Sequence, residues 1–318
     1  MTSEKVLRVV FMGTPEFAVA SLETIRTSKH QLIAVVTVPD RPAGRGRKLQ
    51  MSAVKCHCIE HNIPVLQPEN INDNAFAKQL HALRADVFVV VAFKLLPKLI
   101  FDIPKLGTFN CHASLLPKYR GAAPINWALI NGETTTGVTT FFINERVDTG
   151  AILEQSAINI GQDDDAGSLH DKLKNLGSAL VISTLDHIAD GTVQPSPQSS
   201  NSITSKAPKL TPENRRVNWS LGAQHIRNHI KGLSPYPCAW TTLTTKELKE
   251  TIKISDVEIE FKEHHNPIGL LLCEKKRAKV AVVDGYIVLK KLQFQGKKMM
   301  TTLELINGSC LDSGSIFS

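Results

Sequence analysis

Val6-Leu7-Arg8-Val9-Val10-Phe11-Met12-Gly13-Thr14-Pro15-Glu16 is an apolar run interrupted only by Arg8 and followed at once by turn and helix-start residues. The run reads as a strand. Thr14 is a candidate N-cap, Pro15 suits the first helical position and Glu16 suits the positive end of the helix dipole, so a helix is expected to about Ser28. Leu32–Val38 is the next β-branched run, and strand, helix and strand in this order make a parallel βαβ unit. Working outward, Val87–Ala92 reads as a third buried strand, with Thr108–Cys111, Gly137–Phe142 and Ile152–Ile158 as further strands. Helical segments are expected near 52–61, 74–83, 124–130 and 167–188. The pattern predicts an α/β domain over residues 1–189, with a doubly wound, mostly parallel, Rossmann-like sheet.

Residues 190–208 change character. Gly, Pro, Ser, Thr, Gln and Asn dominate, with Pro195, Pro197 and Pro208, which is the composition of an interdomain linker. From 209 to 318 one helix-like stretch, Gly222–Lys231, precedes short β-rich runs at Ala239–Leu243, Thr251–Ile259, Lys279–Val283 and Tyr286–Phe294. Several short strands with turn signals predict a smaller barrel of the OB type.

Composition bounds the function. The chain has 318 residues, 42% of them hydrophobic, enough to fill a core in each of two domains. No apolar run approaches the roughly 18 residues of a membrane span, and the start carries no long apolar segment behind a basic end, so a cytoplasmic protein that meets no membrane is expected. Six cysteines in a chain of this length do not form a dense disulfide framework and are expected as thiols. The net charge of +7 is uneven: from Lys209 onward 17 Lys and Arg face 11 Asp and Glu, whereas residues 1–208 hold 20 and 19. That asymmetry fits a polyanionic partner on the C-terminal domain; a solvated basic face is the alternative.

Several local patterns bear on chemistry. Gly13-Thr14-Pro15 lacks the three-glycine dinucleotide fingerprint. Cys56-His57-Cys58 with His61 has the wrong spacing for a structural zinc site, so no metal is expected. Pro39–Lys55 carries Arg41, Arg45, Arg47, Lys48 and Lys55 with two glycines and no core-directed pattern, and reads as an exposed basic loop suited to phosphates or base edges, or else as a solvated surface loop. Gly107–Pro117 places Asn110 and His112 two apart where a strand ends, hence on one face, where open α/β sheets hold ligands. With Asp148 ahead of Thr149-Gly150 they form a carboxylate, imidazole and amide set. A carboxylate favours a protonated imidazole, and imidazolium and amide together can donate to an oxygen that becomes negative. Without a nucleophile elbow, direct attack by a substrate amine is preferred to covalent catalysis. Ser114 is the rival nucleophile, expected instead to shape the turn or bind ligand.

Asn110-Cys111-His112-Ala113-Ser114-Leu115-Leu116-Pro117, then Tyr119-Arg120-Gly121-Ala122-Ala123-Pro124-Ile125 and Asp148-Thr149-Gly150, resemble the formyltransferases that use 10-formyltetrahydrofolate. With Phe11–Phe17 and Pro39–Lys48 included, the resemblance extends over essentially the whole chain and is to those that act on methionyl-tRNA. It implies formyl transfer to the α-amine of methionyl initiator tRNA for translation initiation, with Asn110, His112 and Asp148 as the catalytic set. It also implies folate contacts at Val91, Phe93, Leu96, Pro97, Ser114, Leu115, Leu116, Pro117, Ile143 and Val147. tRNA contacts are implied at Arg41, Arg45, Arg47 and Lys48, and the family's habit is monomeric. Ala92-Phe93-Lys94-Leu95-Leu96-Pro97 departs from the family's Ala-Tyr-Gly pattern, lacks its glycine and is one residue shorter, as in relatives that formylate amino sugars. An amino-sugar formyltransferase, a non-catalytic RNA-binding protein and a formyltetrahydrofolate hydrolase are the alternative functions; the basic loop speaks against the first and the intact catalytic set against the second.

Overall fold

A computed structural model describes residues 5–43, 48–199, 205–245, 249–308 and 311–318. The first part of the chain runs β1 (Arg8–Gly13), α1 (Glu16–Thr27), β2 (Gln31–Val36), β3 (Arg41–Ala43), β4 (Lys48–Gln50), α2 (Ala53–Glu60), β5 (Val65–Leu66), α3 (Asn74–Ala82), β6 (Val87–Val91), α4 (Lys98–Phe101), β7 (Thr108–His112), β8 (Arg120–Gly121) and α5 (Pro124–Ile130). It continues with β9 (Thr135–Phe142), β10 (Ile152–Asn159), α6 (Ala166–Asp190), β11 (Lys206–Ala207), α7 (Ala223–Lys231), β12 (Ala239–Thr244), β13 (Lys249–Glu260), β14 (Leu271–Cys273), β15 (Ala278–Val282), β16 (Gly285–Phe294), β17 (Met300–Thr301), α8 (Thr302–Asn307) and β18 (Ile316–Phe317). Two compact units result: Met1–Gly121 with Thr135–Asn159 and His170–Lys206, and Ala122–Thr134 with Ile160–Leu169 and Ala207–Ser318.

In the first unit the sheet order is β10-β9-β7-β6-β1-β2-β5. The pairs among β5, β2, β1, β6 and β7 are parallel, and β9 and β10 add antiparallel strands beyond β7. Every residue of β6 is buried, as a central parallel strand covered on both faces requires, while β10 at the edge alternates. Removing one fully buried aromatic such as Phe88 would cost about 3–5 kcal/mol.

The turn after β1 differs in detail from the sequence expectation. Pro15 itself occupies the N-cap, no side chain caps the helix and Glu16 is the first helical residue. Gly13 is there for packing: a Cβ on it would lie 2.7 Å from the Ala18 Cβ and 3.1 Å from the Val91 oxygen, so only glycine lets α1 come this close to the sheet.

In the second unit the antiparallel sheet runs β14-β15-β16-β13-β12-β18, with β17 beside β16. Its ends meet through a bridge between Leu270 and Ile316 and through the Phe317 amide donating to the Gly269 oxygen at 2.8 Å, which makes the sheet barrel-like. Helix α7 buries Ala223, Ile226 and Ile230 in the barrel core. Its N-cap is Gly222, which has no side chain to offer, and the Asp284 carboxylate in the β15–β16 turn accepts from the Ala223 amide at 2.7 Å instead. No described helix is long and apolar enough to cross a membrane.

Candidate active site

Strand β7 carries both halves of the predicted pair. Asn110 stands opposite Val90 on one side and Phe141 on the other, and His112 is the last residue of the strand, opposite Thr139. The alternation of the strand sends Asn110 and His112 to one face and Cys111 to the other. There the Cys111 sulfur lies 3.9 Å from the Gly177 oxygen of α6, and burial pushes its thiol up to about 12.

His112 is 7% exposed, and its Nε2 lies 2.9 Å from the Tyr119 carbonyl oxygen. A carbonyl only accepts, so Nε2 carries a proton and donates it there. That leaves Nδ1 as the ring nitrogen that faces the Asp148 carboxylate, 3.9 Å from Oδ2. At this distance the two form an ion-pair contact and not a hydrogen bond, so both keep capacity for a ligand atom. Asp148 Oδ2 also accepts from the Gly121 amide at 2.9 Å, which fixes the carboxylate from its far side.

The turn after β7 is built to stay in place. Ser114 is fully buried, its hydroxyl donates to the Lys118 oxygen at 2.7 Å and its carbonyl accepts from Thr139 Oγ1 at 2.6 Å. The hydroxyl is thus spent within the turn. Gln155 Nε2 donates to the Leu116 oxygen and to Thr139 Oγ1, both at 2.9 Å. Leu116 is buried, while Leu115 and Pro117 are half-buried.

The loop that carries Asp148 is equally constrained. A Cβ on Gly150 would lie 1.6 Å from the Phe142 oxygen, so no side chain fits where this residue packs on the end of β9. Asp148 has φ 53°, Tyr119 has φ 58° and Ala92, just past β6, has φ 48°. These are half of the six described non-glycine residues with positive φ, a conformation that persists only where surroundings over-determine it. At Ala92 the left-handed residue falls ahead of Phe93, which is how the shortened turn reverses without a glycine.

The remaining predicted positions divide by environment. Val91 and Leu96 are buried, and Phe93 and Ile143 pack half-buried against the cluster that contains Leu96. Pro97 is the N-cap of α4, and Val147 is 49% exposed. A cleft of about 670 Å³ adjoins them, lined by Lys98, Phe101, Arg120, Ile143, Arg146, Thr149 and Gln198 among others. Arg41 is exposed in β3, which pairs with β4 as a short hairpin beginning at Lys48, and Arg45 and Arg47 lie outside the described residues. The hairpin is anchored at its base, where Asp40 accepts from Lys55 at 2.5 Å and from Gln67 at 2.8 Å.

Three site residues escaped the sequence reading in these roles: Tyr119 through its carbonyl, and Arg120 with Gln198 at the Asp148 loop. Tyr119 and Arg120 stand inside the recognised motif, but nothing in the Pro- and Ser-rich surroundings of Gln198 distinguishes it. The five described cysteines are free. His57 pairs with Glu23 at 3.0 Å, and Glu23 is also held by Arg26, which keeps its carboxyl down at about 2.

Two family models match the chain, one described as formyl transferase over residues 7–185 and one as formyl transferase, C-terminal domain, over residues 209–309. A protein of Flavobacterium johnsoniae named methionyl-tRNA formyltransferase is 49% identical over 302 residues, covering 95% of this chain and 96% of its own length. One of the same name from Bacteroides thetaiotaomicron is 44% identical over 313 residues, with 97% of each chain covered. Among solved structures, the sugar 3N-formyl transferase WlaRD superposes with a TM-score of 0.64 at 19% identity, over 92% of this chain and 99% of that one. HypX from Aquifex aeolicus, in complex with tetrahydrofolic acid, gives 0.61 at 16% identity over 94% of this chain and 47% of that one. At these identities the two structures speak for the fold.

Proposed function

Because this chain belongs to the formyl transferase family, and is a formyl-transferring enzyme, we propose that it moves the formyl group of 10-formyltetrahydrofolate onto the α-amine of methionyl initiator tRNA. The observation that carries the mechanism is the orientation of His112. With Nε2–H committed to Tyr119, the ring can donate to a substrate only through Nδ1, on the side that faces Asp148.

The amine attacks the formyl carbon directly. As the carbonyl oxygen gains charge, the Asn110 amide and the Nδ1–H of a protonated His112 donate to it. Asp148 balances the imidazolium across the 3.9 Å gap and accepts the proton that the attacking amine must lose, directly or through water; that proton passes to N10 as the bond between the formyl carbon and N10 breaks and tetrahydrofolate leaves. Ser114 takes no part as a nucleophile, since its hydroxyl is buried and engaged.

The residues present suit a folate. Phe93, Leu96 and Ile143 offer apolar surface for a flat ring system, and in the adjoining cleft, which Asp102 and Glu145 also line, Arg146 and the Asp102- and Glu145-paired Lys98 offer cations to the carboxylates of its glutamyl end. Arg41, Arg45, Arg47 and Lys48, with the basic C-terminal unit, would meet tRNA phosphates, and the enzyme would work as a cytoplasmic monomer. The basic hairpin favours tRNA over an amino sugar as the acceptor.

Formyl transfer from 10-formyltetrahydrofolate to methionyl initiator tRNA, measured with wild type and His112→Ala, tests this reading. A loss of about 10³-fold in turnover is expected with folding intact. Near-normal turnover in His112→Ala would remove the assignment, and an inactive wild type that formylates an amino sugar would replace the acceptor.

A further inference from the structure

Gln198 lies in a stretch composed like a linker, and its neighbours from 194 to 199 are exposed, yet Gln198 itself is half-buried. Its side chain makes four hydrogen bonds. Nε2 donates to the main-chain oxygens of Asp148 at 3.0 Å and Gly150 at 2.8 Å, and Oε1 accepts from Arg120 Nε at 3.1 Å and Nη2 at 2.5 Å. Chemistry fixes which end is which, because carbonyls only accept and a guanidinium only donates. Two residues earlier, Ser196 exchanges both main-chain hydrogen bonds with Ile152 at 2.8 Å each, so the segment is laid against the start of β10 and not merely tethered.

We propose that Gln198 is a positioning residue for Asp148, acting from the segment that looks like a linker. The inference rests on the catalytic reading of Asp148 given above. Asp148 is a non-glycine residue with φ 53°, and such a backbone needs contacts on both sides to hold it. The Gly121 amide holds the carboxylate. Gln198 holds the peptide groups at Asp148 and Gly150, while Arg120, one residue from Tyr119, braces the glutamine. One side chain therefore joins the strand of chain that orients His112 to the loop that carries its carboxylate. No other side-chain type supplies this combination at the same length: Glu would set an oxygen against two carbonyls, and Asn falls one methylene short.

The consequence is a defect in geometry with binding of methionyl-tRNA retained. In Gln198→Ala, kcat should fall about tenfold or more with KM for methionyl-tRNA within about twofold, as expected when a reacting group is displaced by a fraction of an ångström. Gln198→Glu should be impaired as well, with a pH–rate profile altered from that of wild type, although its size and fold are preserved. The decisive measurement is a double-mutant cycle on the full-length protein, with formyl transfer followed in wild type, Gln198→Ala, Asp148→Ala and the double variant, and thermal unfolding recorded for each. If Gln198 acts through Asp148, its removal costs little once Asp148 is gone. An equal fold loss in both backgrounds, or Gln198→Ala and Gln198→Glu both within twofold of wild-type kcat, overturns the positioning role while leaving the catalytic set intact. Full activity in Asp148→Ala would instead overturn the catalytic reading, and the inference with it.

Discussion

Around His112, the end of β7, the turn of residues 113–119 and the loop of residues 143–150 hold one another through Tyr119, Thr139, Gln155, Gly121 and Gln198, and two of their non-glycine residues, Tyr119 and Asp148, sit at positive φ. The hairpin β3–β4 is built differently: Arg41 is exposed, Leu49 is 72% exposed, and the anchoring contacts described are those of Asp40 at its base. On the proposed reading the two regions would serve different physics. Stabilising a developing charge depends on atoms placed to fractions of an ångström, whereas neutralising a polyanion depends on the sign and reach of the charges.

That contrast is broken most severely if Asn110→Ala keeps its turnover. Removing one donor to a developing oxyanion should cost about 10²–10³-fold in kcat, measured by single-turnover formyl transfer, with the affinity for tRNA unchanged. Gly150→Ala probes the rigidity of the same corner from its backbone. Where a glycine has room, alanine stabilises by about 0.4–1 kcal/mol through the unfolded chain. Here the added methyl would meet the Phe142 oxygen at 1.6 Å, so the loop must shift, and we expect about a 100-fold loss of kcat together with a lower Tm by calorimetry.

On the hairpin side the effects should be smaller and of another kind. Arg41→Ala should leave kcat within twofold, raise Kd for tRNA a few-fold and lower the slope of log affinity against log salt by about one. A change in kcat at saturating tRNA would show that the hairpin shares in the chemistry. The smallest effect concerns pH. The Lys55 ammonium and the Gln67 amide hold the Asp40 carboxyl below its ordinary value. A carboxyl lowered on folding contributes stability that is present above about pH 4 and is lost as pH falls through its folded value. Amide exchange at the hairpin base should therefore quicken only in acid, and Asp40→Asn should abolish that dependence.

Legibility in the sequence follows the same divide. The parallel sheet is readable because buried strands such as β1 and β6 are near-continuous apolar runs, and because the strand expected at Thr108–Cys111 ends at an evident turn. The barrel was legible in its four longer strands but not in its closure, since Leu271–Cys273 and Ile316–Phe317 are too short to show a period and exist through pairing with distant partners. Helix α8 could have been found from its capping box, because Thr301 and Glu304 have the required spacing and each caps the other. At the candidate site, Asn110 and His112 stand out in the sequence as residue types at a strand end and Asp148 as part of a motif, and the fold brings His112 and Asp148 within ion-pair reach. The commitment of Nε2 to Tyr119 was not legible, because it is set by a backbone carbonyl whose own residue lies at positive φ. Gln198 was hidden for a similar reason: its partners are main-chain groups that any sequence would present.

The alternation of β7 also decides how the protein can be labelled. Cys111 stands between two residues of the active corner, yet it faces α6 with its thiol pushed up to about 12, and Cys58 is likewise buried with its thiol at about 11. Cys56 is exposed on α2, a few residues beyond the hairpin. A maleimide dye should therefore react at Cys56 well before Cys111 or Cys58, placing a label a few residues from the hairpin and clear of the β7 face that carries His112; if the hairpin meets tRNA as proposed, the dye would report it.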